Sequence, residues 1–222
     1  MPHETEIKLR VANVKALLRK LKSHGARLAN GGTGRVHEWN VVFDTPQGGL
    51  AKHGQLLRIR TEKTQSARAT RKKSGSAKRV VLTFKEPAMR AGEAAESPGK
   101  LAPAGRHKVR EELELEVADA AVLGRIFEGL GMRGWFKYEK YRTTYRLPAS
   151  QRWARDLLIE IDETPIGVFV ELEGSPAAID RAARALGYSR REYILKSYLA
   201  LYLDDCRRRG ESPRDMLFTR KA

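Results

Sequence analysis

Ionic side chains recur at every second position through much of this chain. Residues two apart on an extended strand share one face. Glu4, Glu6 and Lys8 form one such row, and Arg58 and Arg60 a second. Arg110, Glu112, Glu114 and Glu116 form a third. Lys140 with Arg142, Glu160 with Asp162, and Glu171 with Glu173 form three more, and Lys85 ends a further strand. The intervening positions are apolar: Ile7 and Leu9, Leu57 and Ile59, Leu82 and Phe84, Leu113 and Leu115, Ile159 and Ile161, Val170 and Leu172. One row of this kind ordinarily marks a sheet with its charged face in water. The set points elsewhere, because nearly every polar position carries a full charge and both signs recur. Helical segments with apolar stripes also need a surface to cover. A sheet closed with its charged face inward satisfies both demands, which predicts an α+β barrel lined by charge and coated by helices.

The order of elements supports this. Strand alternation is predicted over 3–11, 35–45, 55–61, 79–85, 109–117, 136–147, 156–163 and 167–174. Val14, Leu17, Leu18 and Leu21 make a helical stripe between Asn13, a candidate N-cap, and Gly25. A second helix is predicted over 119–130, with Asp119 as cap and Gly131 as terminator. Glu6, Asn13 and Gly25 correspond to Glu112, Asp119 and Gly131 at one offset, so the halves read as a pseudo-repeat. Ser175-Pro176 opens a third helix. Ser189 and Glu192 form a capping box for a fourth, running to about residue 205. The polar stretch 63–78 reads as a loop or hairpin tip, and the Ala-, Pro- and Gly-rich stretch 86–107 as a mobile insertion. Residues 1–206 are expected to be one domain, followed by a basic tail, 207–222.

The chain carries 43 Lys and Arg against 27 Asp and Glu, a net charge of +16. More than half of the excess lies in 62–80 and 206–222. Those segments predict weak, nonspecific attraction to polyanions. Sequence-directed nucleic-acid binding is not expected, since the charged rows are rich in acids. No apolar run reaches the roughly 20 residues of a membrane span. The start of the chain lacks a basic-then-apolar leader. The single cysteine, Cys206, suits a reducing compartment, so a cytoplasmic protein is expected. The five histidines lack metal-type spacing, and neither a phosphate-binding glycine loop nor a nucleophile elbow is present.

So many inward charges need compensation. Lys and Arg can hold phosphate oxygens, while carboxylates can hold Mg²⁺ or Mn²⁺ bridged to those phosphates. A metal–polyphosphate ligand therefore fits mixed rows better than a bare polyanion does.

The motifs also occur in a familiar order. Glu4-Thr-Glu6-Ile-Lys8 resembles the ExExK opening of CYTH-domain proteins, the triphosphate tunnel metalloenzymes. That family includes class IV adenylate cyclases, thiamine triphosphatases and inorganic triphosphatases. The run from Glu38 to Pro46, Leu57-Arg58-Ile59-Arg60, Leu82-Thr-Phe-Lys85, Arg110-Glu-Glu112-Leu-Glu114, Lys140-Tyr-Arg142, Asp162 with Gly167 to Gly174, and Lys196-Ser197-Tyr198 are similar to later family motifs. The resemblance spans 3–203 and implies a closed eight-stranded antiparallel tunnel. It implies that Lys8, Arg58, Arg60, Lys85, Arg110, Lys140, Arg142 and Lys196 bind the triphosphate. Glu4, Glu6, Asp162, Glu171 and Glu173 would ligate Mg²⁺ or Mn²⁺, and Glu112 and Glu114 would line the tunnel. Glu4, Glu6, Lys8 and Lys85 would serve catalysis. The expected activity is hydrolysis of tripolyphosphate, thiamine triphosphate or a nucleoside triphosphate. Cyclisation of ATP is the alternative, and non-catalytic binding of polyphosphate or nucleotide a further one. Monomer and homodimer both stay open. Neutralising Glu6 or Glu173 is expected to leave the fold intact or more stable.

Overall fold

A computed structural model describes residues 3–29, 34–65, 78–88 and 107–219. The loop expected at 63–78, the insertion at 86–107 and the end of the tail lie largely outside them. Nine strands are present: β1 (His3–Arg10), β2 (Arg27–Leu28), β3 (Arg35–Asp44), β4 (Leu56–Gln65), β5 (Lys78–Lys85), β6 (Lys108–Glu116), β7 (Arg133–Arg146), β8 (Leu158–Thr164) and β9 (Gly167–Glu173). Eight of them run in the order β7-β3-β4-β5-β6-β1-β9-β8, and β8 pairs back onto β7 to close the barrel. Every pairing is antiparallel. The two-residue β2 adds a short edge to β7.

The helices are α1 (Val14–Ser23), α2 (Gly49–Lys52), α3 (Ala120–Gly129), α4 (Pro176–Ala185) and α5 (Tyr198–Arg209). Leu17 and Leu21 of α1 and Ile179, Ala182 and Ala183 of α4 pack on the outward Ile7, Leu9, Ile159, Ile161, Val170 and Leu172. Phe127 of α3 packs on Phe43, Leu57, Ile59 and Val80. The charged face is thereby left inside. The pseudo-repeat has a structural counterpart. Asn13 accepts a hydrogen bond from the Ala16 amide, and Asp119 accepts from Ala121 and Val122. Gly25 and Gly131 turn the chain afterwards with φ of +74° and +83°, which strongly favours glycine.

The C-terminal part departs from expectation. The Ser189–Glu192 box caps only a single 3-10 turn, Arg190–Glu192. Beyond it the Ile194 amide donates to the Lys8 carbonyl at 2.9 Å, and the Lys8 amide donates to the Ile194 carbonyl at 3.0 Å. These bonds hold the chain extended beside β1. Helix α5 therefore starts only at Tyr198, capped by Ser197.

Tyr198 and Tyr202 of α5 pack on Val42, Phe136, Tyr138 and Phe169, which share the inward faces, and so plug one end of the barrel. The chain then returns to the wall. β7 pairs with β8 only over Tyr141–Tyr145, which leaves its earlier half open on that side. Met216 bonds there through its amide to the Lys137 carbonyl (2.9 Å) and through its carbonyl to the Glu139 amide (3.1 Å). Its side chain is 1% exposed. Part of the span read as a basic tail is thus built into the barrel. Met216→Ala is predicted to lower unfolding free energy in urea by ~2–4 kcal/mol, whereas Leu18→Ala, at a part-exposed site, should cost under ~1 kcal/mol.

Candidate active site

The inward rows enclose a cavity of about 890 Å³. Its walls differ in net charge. On β4, β5 and β6 stand Arg58, Arg60, Arg79, Lys85, Lys108 and Arg110 against Glu62, Glu112 and Glu114. On the contiguous strands β8, β9 and β1 stand Glu160, Glu171, Glu173, Glu4 and Glu6 against Lys8. The register places Glu6 opposite Glu173 and Glu160 opposite Glu171. Like charges directly across a strand pair are destabilising, so the acid wall needs cations.

Some cations come from the wall itself. Lys8 lies between Glu6 (3.1 Å) and Glu171 (3.0 Å) and is buried with them. Lys108 also reaches Glu6. Arg142 contacts Glu160 and Glu171 and is paired with Asp162 at 2.7 Å. Lys85 joins Glu4 (2.6 Å) to Glu112 (2.7 Å). Arg60 pairs with Glu114 at 3.0 Å, and Arg58 bonds the Tyr138 hydroxyl at 3.0 Å and Thr83 at 3.1 Å.

Two groups are left over. Among the described residues, Arg110 is the cavity cation with no carboxylate partner, and its buried Nε has no hydrogen-bond acceptor. Glu173 likewise has no ion pair. Burial, with Glu4 and Glu160 adding repulsion, pushes its carboxyl up to about 8. Burial also raises Glu160 to about 7, against the pull of Arg142. Glu112 rises to about 7 through burial and a hydrogen bond shared with Glu4. Glu6 goes the other way: burial opposes ionisation, but Lys8 and Lys108 bring it down to about 2.

Most of the residues singled out in the sequence converge here, but two do not. Lys196 is not part of the cavity lining. Its side chain is 60% exposed and paired with Asp204 of α5 at 2.6 Å, although the next residues, Ser197 and Tyr198, line the cavity. Asp162 is fully buried behind the lining, where Lys140, Arg142 and the Tyr198 hydroxyl all bond it at 2.7 Å. With both oxygens committed, it anchors the wall and is not placed as a free metal ligand. Sequence reading also passed over cavity residues. Lys108, Glu62 and Arg79 simply continue rows already recognised. Glu38 opens one of the family-like runs but has no role assigned from sequence; it shares its face with Asn40 and Val42, and the pairing of β3 with β7 brings it near Lys140 (3.5 Å) and Arg142 (3.6 Å).

Among the described residues, no three acidic, histidine or cysteine side chains are drawn together closely enough to hold a metal ion. The donor chemistry nevertheless suits a hard divalent cation, since Glu173 is unpaired and Glu4, Glu6 and Glu171 stand on adjoining strands.

The two acids of the Glu6–Glu173 pair should respond oppositely to neutralisation. Glu173 binds its proton more tightly folded than unfolded, so stability declines as pH rises from about 4.5 towards 8. Glu173→Gln should therefore gain ~1–3 kcal/mol over the parent at pH 8 and nothing at pH 4.5. Glu6 stabilises the fold above its ordinary range, and that contribution is lost as pH falls to about 2. Glu6→Gln leaves Lys108 without a carboxylate partner and Lys8 with Glu171 alone, and should cost ~2–4 kcal/mol at pH 7, contrary to the expectation from sequence. Urea titrations at these pH values check both.

Comparison with known proteins agrees with this architecture. The CYTH domain family model matches residues 2–198. No curated protein matches the sequence significantly. A proposed adenylate cyclase from Vibrio parahaemolyticus superposes with a TM-score of 0.63 at 18% identity, covering 89% of this chain and 96% of that one. The PH1012 protein of Pyrococcus horikoshii gives 0.61 at 24% identity, covering 89% and 98%. HpAC1 of Hippeastrum, a proposed adenylyl cyclase described as having a dominant triphosphatase activity, gives 0.55 at 20% identity, covering 95% and 97%. Likenesses at these identities speak to the fold. The family match extends over most of the sequence, and the chain belongs to the CYTH domain family.

Proposed function

We propose that this tunnel binds a triphosphate together with Mg²⁺ or Mn²⁺ and hydrolyses it. The observation that supports this best is one cavity with an excess of cations on β4, β5 and β6, where Arg110 is unpaired, and an excess of carboxylates on β8, β9 and β1, where Glu173 is unpaired. Arg110, which is unpaired, and Arg58, Arg60 and Lys85, whose present carboxylate partners would yield to the ligand, are suited to hold phosphate oxygens. Lys8 keeps Glu6 and Glu171 in place, and Lys140 and Arg142 brace the wall through Asp162. Glu4, Glu6, Glu171 and Glu173 would hold the cation, which supplies charge neutralisation and polarises a phosphoryl oxygen. Glu112, poised near 7 beside Lys85, can take a proton from an attacking water while that water's oxygen bonds to phosphorus and the phosphoanhydride bond breaks. The dominant triphosphatase activity described for HpAC1 is in keeping with hydrolysis.

The test is product identification. The protein is incubated with tripolyphosphate, thiamine triphosphate, ATP or GTP and Mg²⁺ or Mn²⁺. Phosphate release is expected, and cyclic AMP formed from ATP without phosphate would show a cyclase instead. Arg110→Ala should raise KM about 10-fold or more with a smaller change in kcat, because it removes a phosphate contact. Glu173→Gln should abolish turnover while improving apo stability at pH 8. A Glu173→Gln enzyme with normal turnover and metal dependence would overturn the metal assignment.

A further inference from the structure

The cavity is not charged throughout. On three adjoining strands the inward row turns apolar at the same barrel end. β4 reads Leu56, Arg58, Arg60, and β7 reads Phe136, Tyr138, Lys140, Arg142. β3 reads Glu38, Asn40, Val42, and ends at Asp44, whose carboxylate accepts from the Thr45, Leu50 and Ala51 amides. Much of this end is covered by α5, whose Tyr202 lies 5.9 Å from the Phe136 ring. Trp135 is not covered. It is 47% exposed, yet it lines the same cavity as the phosphate-binding cations.

Its position has a local cause. Val42 stands opposite Phe136 and Phe43 opposite Gly134, so Trp135 is the extra residue of a β-bulge. Bulges redirect a side chain that regular alternation would send outward. The neighbouring Gly134 allows the close approach of β3, since a Cβ there would come within 2.9 Å of Val41. Leu56 and Leu199, both only partly buried, line the same cavity as Trp135. Leu56 also stands opposite Lys85 in the β4–β5 register, so this apolar lining borders the cationic wall directly.

A ligand filling such a cavity is amphipathic: a phosphate chain at one end and a flat apolar group at the other. Building on the triphosphate reading above, we propose that Trp135, with Leu56 and Leu199, forms a subsite for the heteroaromatic group of an organic triphosphate. The preferred substrate is then an organic triphosphate, not inorganic tripolyphosphate. Stacking of a heteroaromatic ring on one indole is worth roughly 10-fold in affinity or more.

The experiment compares kcat/KM for ATP, GTP and thiamine triphosphate with that for tripolyphosphate, in Mg²⁺, for the parent, Trp135→Ala and Trp135→Phe. The parent should favour at least one organic substrate. Trp135→Ala should lower that organic-to-inorganic ratio about 10-fold, and Trp135→Phe should restore much of it. Indole emission should be quenched by the favoured organic triphosphate and not by tripolyphosphate, with the quenching lost in Trp135→Phe. Matching thermal melts exclude a folding defect. Equal preference in the parent, or a ratio unchanged in Trp135→Ala, overturns the subsite and leaves the triphosphate reading standing. Failure to bind any triphosphate overturns both.

Discussion

Cross-strand pairing of glutamates inside a closed barrel is the constraint on which the rest depends. Glu6 faces Glu173 and Glu160 faces Glu171 on strands whose outward faces are fixed by packing under α1 and α4. A one-residue slip in any strand would turn the apolar row inward and the acids into the helix layer, so register is strongly enforced. The acids therefore cannot leave, and the structure neutralises them in place. Lys8 and Arg142 are the internal counter-ions, and Asp162 with Tyr198 holds the second of these steady. What remains uncompensated, Glu173 on one wall and Arg110 on the other, has the form of a receptor for a cation and an anion together.

The same logic explains why the barrel has one plugged end. The inward rows of β3 and β7 become apolar at that end and need cover, which α5 and Met216 provide. The C-terminal segment thus completes the β7 wall by strand-like pairing. Deleting residues 207–221 to test for nucleic-acid binding would disturb the barrel itself, so such a deletion does not separate binding from folding.

Much of this was legible in the sequence because a period of two is unambiguous when every polar position is charged. Strand locations and the inward direction of the ionic rows followed from it, while the caps Asn13 and Asp119 followed from residue type beside the helical stripes. Closure followed from the charged rows together with the apolar helix stripes, and the count of eight antiparallel strands came through resemblance. The order of the strands came from neither, since alternation says nothing about which strands are neighbours. Three features were not legible. The interruption after Ser189 depends on backbone bonds between Ile194 and Lys8, which no local propensity encodes. The commitment of Asp162 depends on partners from β7 and α5. The diversion of Lys196 to Asp204 depends on where α5 begins. Each of these is a long-range or boundary effect, where sequence patterns carry least information.

The central claim, that the tunnel's leftover charges await a polyanion and a cation jointly, is tested most directly by thermal unfolding of the full chain. Melting temperature is measured with tripolyphosphate, with Mg²⁺, with both, and with sodium chloride at matched ionic strength. At ligand about 100-fold above its Kd, joint binding should add ~3 kcal/mol, or roughly 5–10 °C, well beyond the sum of the separate shifts. A combined shift no larger than that sum, or one reproduced by sodium chloride, would contradict the account.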